Sequence, residues 1–466
     1  RDYQLAMSGY GSHGNSMHVF INGLYWGLYN PSERVDAAFA ASYFGGEKEE
    51  YDAIRPGGEV RDGTRVAWDQ MMSIVRSGPA NDARLQELEQ ILDMDGFIDY
   101  MILNIYGANA DWPHKNWGAV RRRQPGELFR FICWDIERIL EFPGSNMSTV
   151  SQYNTPAEIY AWMRSHPEIR MRFADRLQAH FFGDGALTPG AAEERWMSLS
   201  RRIAMAVVCE SARWGDYRRD VHPYSVGPYA LYTKGDHWLP ELQRVAESYL
   251  PARGQTVLNQ FRSLGLYPDL PTPVFTPSDG RVETPEISVV IRAGEGETFF
   301  TTDGSDPRVA WTGAVSASAQ LFTGPIPLHT GSILKARTRL GGQWSALSEA
   351  VYRFGPDLIP IRWTELMYHP AGPESLEFVE FKNIGPTPVD LTGFRIQGLD
   401  YRFPPGTVLE GGAVMLLASG ADPNAFLSAY PGVHVYDWYA GALSNAGERI
   451  RSEEHTSELQ SRPSIS

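Results

Sequence analysis

The sequence predicts a multidomain chain in which an α+β region over residues 1–268 precedes two all-β stretches, 271–354 and 358–450. Three observations carry this. Apolar residues recur at helical spacing through the first region and stop doing so at the proline-rich segment YPDLPTPVFTP, Tyr267 to Pro277. Beyond it, apolar and polar residues alternate in short runs broken by turns, the pattern of β-sandwiches. The length of 466 residues fits two to four domains at roughly 100–200 residues each.

The elements follow in order. Arg1 to Met7 reads as helix. His18 to Tyr29 reads as a hairpin, because Asn22-Gly23 is a tight-turn pair between β-prone runs. Asn81 to Tyr106 reads as helix: Leu85, Leu88 and Leu92 share a face, and Phe97, Met101 and Ile105 continue it after a break near Gly96. Phe129 to Trp134 is a short buried strand. Helical patterns return at 156–182, 190–213 and 236–264, and Pro251 is expected to break or kink the last. In 271–354, turns are expected at Ser278-Asp279-Gly280, Asp303-Gly304 and Asp306-Pro307. A second linker, Phe354-Gly355-Pro356-Asp357, opens the last all-β stretch. Residues 451–466 are polar and without periodicity; RSEEHTSELQS resembles a translated sequencing-adapter read, and the segment is expected to be a disordered tail. The chain opens on Arg1 within apparent structure and reads as a fragment.

Composition narrows the function. Hydrophobic residues at 42% and charged residues at 21% exclude disorder along the whole chain. With 42 Lys+Arg against 56 Asp+Glu, the net charge of −14 argues against coating nucleic acid or anionic membrane. It leaves room for divalent cations, or for a nucleotide held through a metal. Cys133 and Cys209 exclude a disulfide scaffold and leave one disulfide open. No apolar run approaches the roughly 18–20 residues of a membrane span.

The stretch Asn104 to Glu137, NIYGANADWPHKNWGAVRRRQPGELFRFICWDIE, carries the chemistry. Phosphoryl transfer from a nucleotide needs a carboxylate near the acceptor hydroxyl and oxygen ligands for Mg²⁺. The protein-kinase catalytic loop sets an Asp and an Asn five residues apart for these jobs, and a further metal-binding Asp follows a short strand. Asp111, Asn116 and Asp135, with Phe131 to Trp134 as the strand, reproduce that order. Alone, Asp and Asn at this spacing also describe a capped turn after a helix.

Other candidates are weaker. Gly9, Gly11 and Gly14 spell G-x-G-x-x-G, but a hairpin follows where a dinucleotide site needs a helix. They form either a phosphate-covering loop or a plain turn. Lys115 either contacts a transferred phosphoryl group or is solvated. His13, His18, His166 and His222 lack metal-ligand spacing, and Arg121 to Arg123 reads as an exposed turn. Trp112, Trp117 and Trp134 read as core.

VFINGLYWGLYNPSERVD (Val19 to Asp36), GANADWPHKN (Gly107 to Asn116) and FICWDIE (Phe131 to Glu137) together resemble the CotH family of atypical spore-coat kinases, over about residues 3–265. The resemblance implies a divergent kinase-like fold using ATP and Mg²⁺ or Mn²⁺. Carried over, Asp111 is the catalytic carboxylate, and Asn116 and Asp135 are metal ligands. Glu33 takes the place of the Glu that pairs with an ATP-orienting Lys. Arg55 stands where relatives carry that Lys, keeping the charge but with different geometry. Both are thereby cofactor-binding candidates.

FFTTDGSDPR, Phe299 to Arg308, resembles the chitobiase/hexosaminidase C-terminal, fibronectin-III-associated module, an accessory sandwich. Calcium at Asp303 and Asp306 is a minor expectation. Trp363 to Phe394, continuing through Leu443-Ser444-Asn445-Ala446-Gly447-Glu448, resembles the lamin-tail domain. The fold expected is therefore an α+β kinase-like domain followed by two all-β immunoglobulin-like sandwiches. The function expected is phosphorylation of protein hydroxyls on a cell surface or spore-coat-like layer. Partners are protein substrates, with no nucleic acid and no transmembrane segment in this stretch. The alternative is an inactive kinase-fold surface protein with adhesive modules. A glycoside hydrolase is a weaker third reading, lacking a locatable carboxylate pair.

Overall fold

The computed structural model of the chain describes residues 1–222, 230–355, 360–397, 399, 401–441, 443 and 451–453. The helix-rich first part begins with α1 (Asp2–Ser8), β1 (Met17–Ile21), β2 (Leu24–Tyr29) and α2 (Ala37–Phe44). Then come β3 (Tyr51–Arg55), β4 (Glu59–Asp62), α3 (Val66–Arg76), α4 (Asp82–Glu89), α5 (Met94–Gly107), β5 (Trp117–Arg122) and β6 (Arg130–Cys133). Helices α6 (Pro156–Met163), α7 (Pro167–Phe181), α8 (Pro189–Ile203), α9 (Ala206–Trp214), α10 (Leu239–Arg244) and α11 (Leu250–Ser263) complete it.

β1 and β2 form the hairpin, with Asn22 and Gly23 both at positive φ as its tight turn requires. The second sheet is antiparallel in the order β4-β3-β5-β6. Its strands alternate faces. Tyr51, Ala53, Val120 and Ile132 pack under α2 with Val35 and Phe39. Ile54, Trp117, Ala119 and Phe131 turn toward α5. Trp68 stacks on Trp117 at 5.5 Å between them. Gly118 is obligatory here, since a Cβ would lie 2.6 Å from Val35 Cγ1. α5 runs through the centre of the core with every residue buried except Asp95.

Several boundaries differ from the sequence reading, each for a local reason. The helix expected over 81–106 is two helices, and the interruption lies at 90–93 rather than at Gly96. Asp93 caps α5 by accepting from Gly96 N at 3.1 Å. Gly96 sits in that first turn because a Cβ would meet Tyr10 Oη at 1.9 Å. The helix around Pro251 is not broken: α10 and α11 join through a π turn, Val245–Tyr249. Pro251 has no N–H to give, and the wider turn absorbs the missing bond. Cys133 is buried, Cys209 is exposed, and both are free, so the disulfide left open by the sequence is not formed.

Two β-rich parts follow. In the first, one sheet orders strands 320–321, 297–301, 332–340, 348–354 and 280–282, with 343–344 paired to 332–340; the facing sheet orders 326–328, 287–292 and 274–276. Phe275, Val289, Phe300, Leu334 and Tyr352 fill the space between. The second has strands 361–367, 378–383, 414–419 and 437–439 in one sheet, against shorter pairs around Leu391, Phe394 and Phe403. It also contains a helix, α12 (Pro423–Ala429), inside the stretch read as all-β. Asp422 caps it and Pro423 opens it, and Phe426 packs on Phe378.

Residues 451–453, at the head of the segment expected to be a disordered tail, form a strand paired with 395–397. A ladder bonds main chain to main chain, so an edge strand accepts a polar partner as readily as an apolar one. Residues 454–466, the linker residues 356 and 357, and most of the Leu443 to Glu448 motif lie outside the described residues.

Polar contacts join the parts. Arg337, 1% exposed, reaches Asp175 on α7 (2.6 and 2.8 Å) and Asp306 on its own module (2.6 and 2.7 Å). Arg308 meets Glu168 at 2.5 Å. Asp306 is thus held through both oxygens by Arg337, while Ser305 bonds one oxygen of the exposed Asp303. Glu349 of the first sandwich pairs with Arg402 of the second at 2.6 Å.

Candidate functional site

The site grows from the C-terminal end of α5. The last carbonyls of a helix lack intrahelical partners, and here each finds one. Asn104 O accepts from Asn109 N, Ile105 O from Ala108 N, and Gly107 O from Leu140 N at 2.9 Å. Tyr106 O accepts from the Tyr249 hydroxyl at 2.8 Å. Ala108 adopts φ +51 and turns the chain out of the helix.

The loop that follows is fixed from beneath. Asn109, fully buried, donates from Nδ2 to Asn104 Oδ1 at 3.0 Å and accepts from Asp111 N at 3.3 Å. Asn104 in turn donates to Cys133 Sγ at 3.5 Å. A buried polar chain therefore runs from the end of β6 to the backbone of Asp111. Trp112 donates to the Tyr100 hydroxyl at 2.6 Å, and Trp117 to Pro113 O at 2.8 Å, pinning both sides of the loop in the core.

The β5–β6 register brings the other two residues in. Trp117 pairs with Cys133, so Asn116 and the chain beyond Cys133 emerge side by side at the open end of the hairpin. Asn116 Nδ2 donates to Asp135 O at 2.9 Å. Both residues sit at positive φ, +66 and +47, a conformation in which Asn and Asp are the commonest non-glycine residues and which clusters at functional sites. The chain then runs back along the loop, and Ala110 N donates to Arg138 O at 2.9 Å. The structure thus gathers Asp111, Asn116 and Asp135 around one crossing of two segments. Asn116 is buried, Asp111 half-buried and Asp135 exposed.

Asp111 Oδ2 pairs with Lys115 Nζ at 3.0 Å, so Lys115, though exposed, belongs to the loop's charge arrangement. Arg138 pairs with Glu141 at 2.6 Å; its hydrogen bond, and then its charge, hold Glu141 below its ordinary range. The Asp135 carboxylate has no hydrogen-bond or ion-pair partner among the described residues. Two carboxylates and one amide oxygen are the donors a hard dication takes, and in this respect the residues fit Mg²⁺ or Mn²⁺. Among the described residues no three His, Cys, Asp or Glu side chains gather as a metal cluster.

Glu33 and Arg55 are not brought together. Glu33 accepts from His13 N at 2.7 Å and from the Tyr43 hydroxyl at 2.5 Å. Arg55 pairs with Glu59 at 2.6 Å, its register partner across the β3–β4 hairpin. The expected Glu–Arg pair is therefore absent, and its two members are spoken for locally.

The sequence reading missed what supports the loop. Asp99, in the middle of α5 and 1% exposed, binds Arg176 and His180 of α7; the His180 contact is 2.8 Å. Burial opposes its charge, but Arg176 and His180 outweigh that and hold the carboxyl below its ordinary range. A lone Asp in the apolar run FIDYMILN was the available signal. Gln4 of α1 completes the free edge of β6, donating to Phe131 O at 2.7 Å and accepting from Cys133 N at 2.9 Å. Burial pushes the Cys133 thiol up to about 11.

Among the described residues no helix is long and apolar enough to cross a membrane. Comparison with curated proteins finds no match. Residues 360–456 match the model of the Lamin Tail Domain, which extends across the 451–453 strand. Residues 6–246, just over half the chain and including the whole Asp111–Asn116–Asp135 crossing, match that of the CotH kinase protein, and the chain belongs to that family.

Proposed function

We propose that the protein transfers a phosphoryl group from ATP to hydroxyls of proteins, with a divalent metal, at a cell surface or in a spore-coat-like layer. The single observation that carries this is the meeting of Asp111, Asn116 and Asp135 at one crossing, in the order and spacing that phosphoryl transfer uses. Asp111 is the group to receive the acceptor hydroxyl's proton. Lys115 beside it brings a positive charge to where phosphate charge would develop. Asn116 and Asp135 would hold Mg²⁺ or Mn²⁺; bound there, the ion would screen the triphosphate and orient it. The two β-rich parts are accessory in this reading, the first of the chitobiase-associated kind and the second adhesive, with domain limits near 268, 271–354 and 358–450.

A second reading has one observation in its favour. Glu33 is held by His13 and Tyr43 and Arg55 by Glu59, so Arg55 does not stand on Glu33 to orient ATP, as befits a kinase fold retained for binding alone.

Calorimetric titration with ATP in Mn²⁺, alongside transfer of labelled phosphate to a mixed protein acceptor, separates them. The enzyme reading expects binding that Asp135→Ala abolishes, and transfer that Asp111→Asn lowers far more than it lowers ATP affinity. No nucleotide binding with any divalent metal would leave the binding-only reading.

A further inference from the structure

Arg253 is a buried charge with no carboxylate partner among the described residues. It lies on α11, beyond the last residue of the CotH match, and is 0% exposed. All its hydrogen bonds go to main-chain carbonyls. Nε donates to Tyr106 O at 2.7 Å and Nη2 to Ile105 O at 2.5 Å. Nη1 donates to Pro143 O at 2.7 Å and Ser145 O at 2.6 Å.

These acceptors fall in two places. Ile105 and Tyr106 belong to the last turn of α5, where the helix dipole presents negative charge and stands in for a counter-ion. Pro143 and Ser145 belong to the segment that leads away from Asp135. One planar, rigid fork therefore grips the root of the Asp111 loop and the continuation of the Asp135 segment together. Two further side chains, one at the end of α10 and one on α11, add holds on the second stretch alone. Arg244 donates to Leu140 O at 2.7 Å and Glu141 O at 3.0 Å, and Gln260 to Ser145 O at 3.1 Å.

We propose that Arg253 is a positioning residue: it keeps the Asp111 loop in register with the Asp135 segment, and through that register sets how well the site holds a divalent cation. The inference rests on the metal-holding reading of Asp111, Asn116 and Asp135. Two amides report the register directly, because Ala110 N bonds Arg138 O and Leu140 N bonds Gly107 O across the two stretches.

The test uses the whole chain, with Mn²⁺ alone as the probe. Free Mn²⁺ is followed by electron paramagnetic resonance, and exchange of the Ala110 and Leu140 amides by hydrogen–deuterium exchange. Arg253→Met should weaken Mn²⁺ binding at least tenfold and speed both amides at least tenfold. Arg253→Lys, which keeps the charge but reaches fewer carbonyls, should recover part of both, and it serves the same comparison if the Met variant does not fold. Phe261→Leu, a change to a buried neighbour on the same helix, should lower Tm yet leave Mn²⁺ affinity and both amides within twofold of wild type. Wild-type Mn²⁺ affinity in the Arg253 variants would overturn the proposal. So would Phe261→Leu reproducing their losses, since the effect would then be general loosening. If the wild type binds no Mn²⁺ but Arg253→Met still speeds both amides, the metal reading falls and the clamp stands. Unchanged exchange overturns the clamp in every case.

Discussion

Asn116 bonds through its amide Nδ2 to the main-chain carbonyl of Asp135 at 2.9 Å, with both residues in the left-handed region. The end of a hairpin is thereby locked by a side chain rather than by another ladder bond. The conformation suits Asn and Asp, whereas alanine at such a φ is strained.

Asn116→Ala should cost about 2–3 kcal/mol, the sum of a lost hydrogen bond and the strained backbone. Asn116→Gly should recover the backbone part. Urea unfolding of the two variants measures it, and glycine as damaging as alanine would refute the conformational half of the account.

Arg337 should behave as the rivet between the first part of the chain and the sandwich that follows. Arg337→Met leaves Asp175 and Asp306 without their cation and should destabilise by about 3 kcal/mol. Scanning calorimetry should show the two parts melting separately in the variant where they melt together in the wild type.

Glu349 gives a pH dependence with a definite sign. Burial opposes its charge, but the Arg402 hydrogen bonds and charge prevail and hold its carboxyl down to about 2. A depressed folded value stabilises above the unfolded value, near 4.3, and that contribution is lost as pH falls toward 2. Because the pair is partly open to solvent, screening brings this to about 1 kcal/mol or less. The unfolding midpoint of Glu349→Gln should accordingly be flatter between these two pH values than that of the wild type; parallel curves would remove the assignment.

The thiols should differ sharply. Buried Cys133, with its pKa raised, should resist a thiol reagent at neutral pH while exposed Cys209 reacts. One equivalent of reagent is expected on the native protein and two in denaturant. Prompt reaction of both in the native state would mean that the β6 end opens readily.

The parts of this molecule legible in its sequence were those with local signals. The Asn22-Gly23 turn, the apolar stripe of α5 and the sandwich alternation depend on neighbours in the chain. That Asp111, Asn116 and Asp135 come near one crossing follows from a loop and a two-stranded hairpin that fix their separation. Asp93 as a cap, and Asp422-Pro423 as a helix start, were readable but outweighed by Gly96 and by the surrounding β pattern. The partners of Glu33 could not be read, since Tyr43 and His13 reach it from different elements. Nor could Arg253, whose four acceptors lie more than a hundred residues earlier and are all main-chain atoms, which carry no sequence signature.

Two adjacent residues of α7 face opposite ways. Asp175 reaches outward to Arg337 of the sandwich, and Arg176 inward to Asp99 on α5. These ion pairs give load on the sandwich a route into a helix beside the covalent proline-rich connection, and that helix is bolted to the one whose end presents Asp111. Tension on the β-rich half and the posture of the loop share one mechanical path, only two ion pairs long.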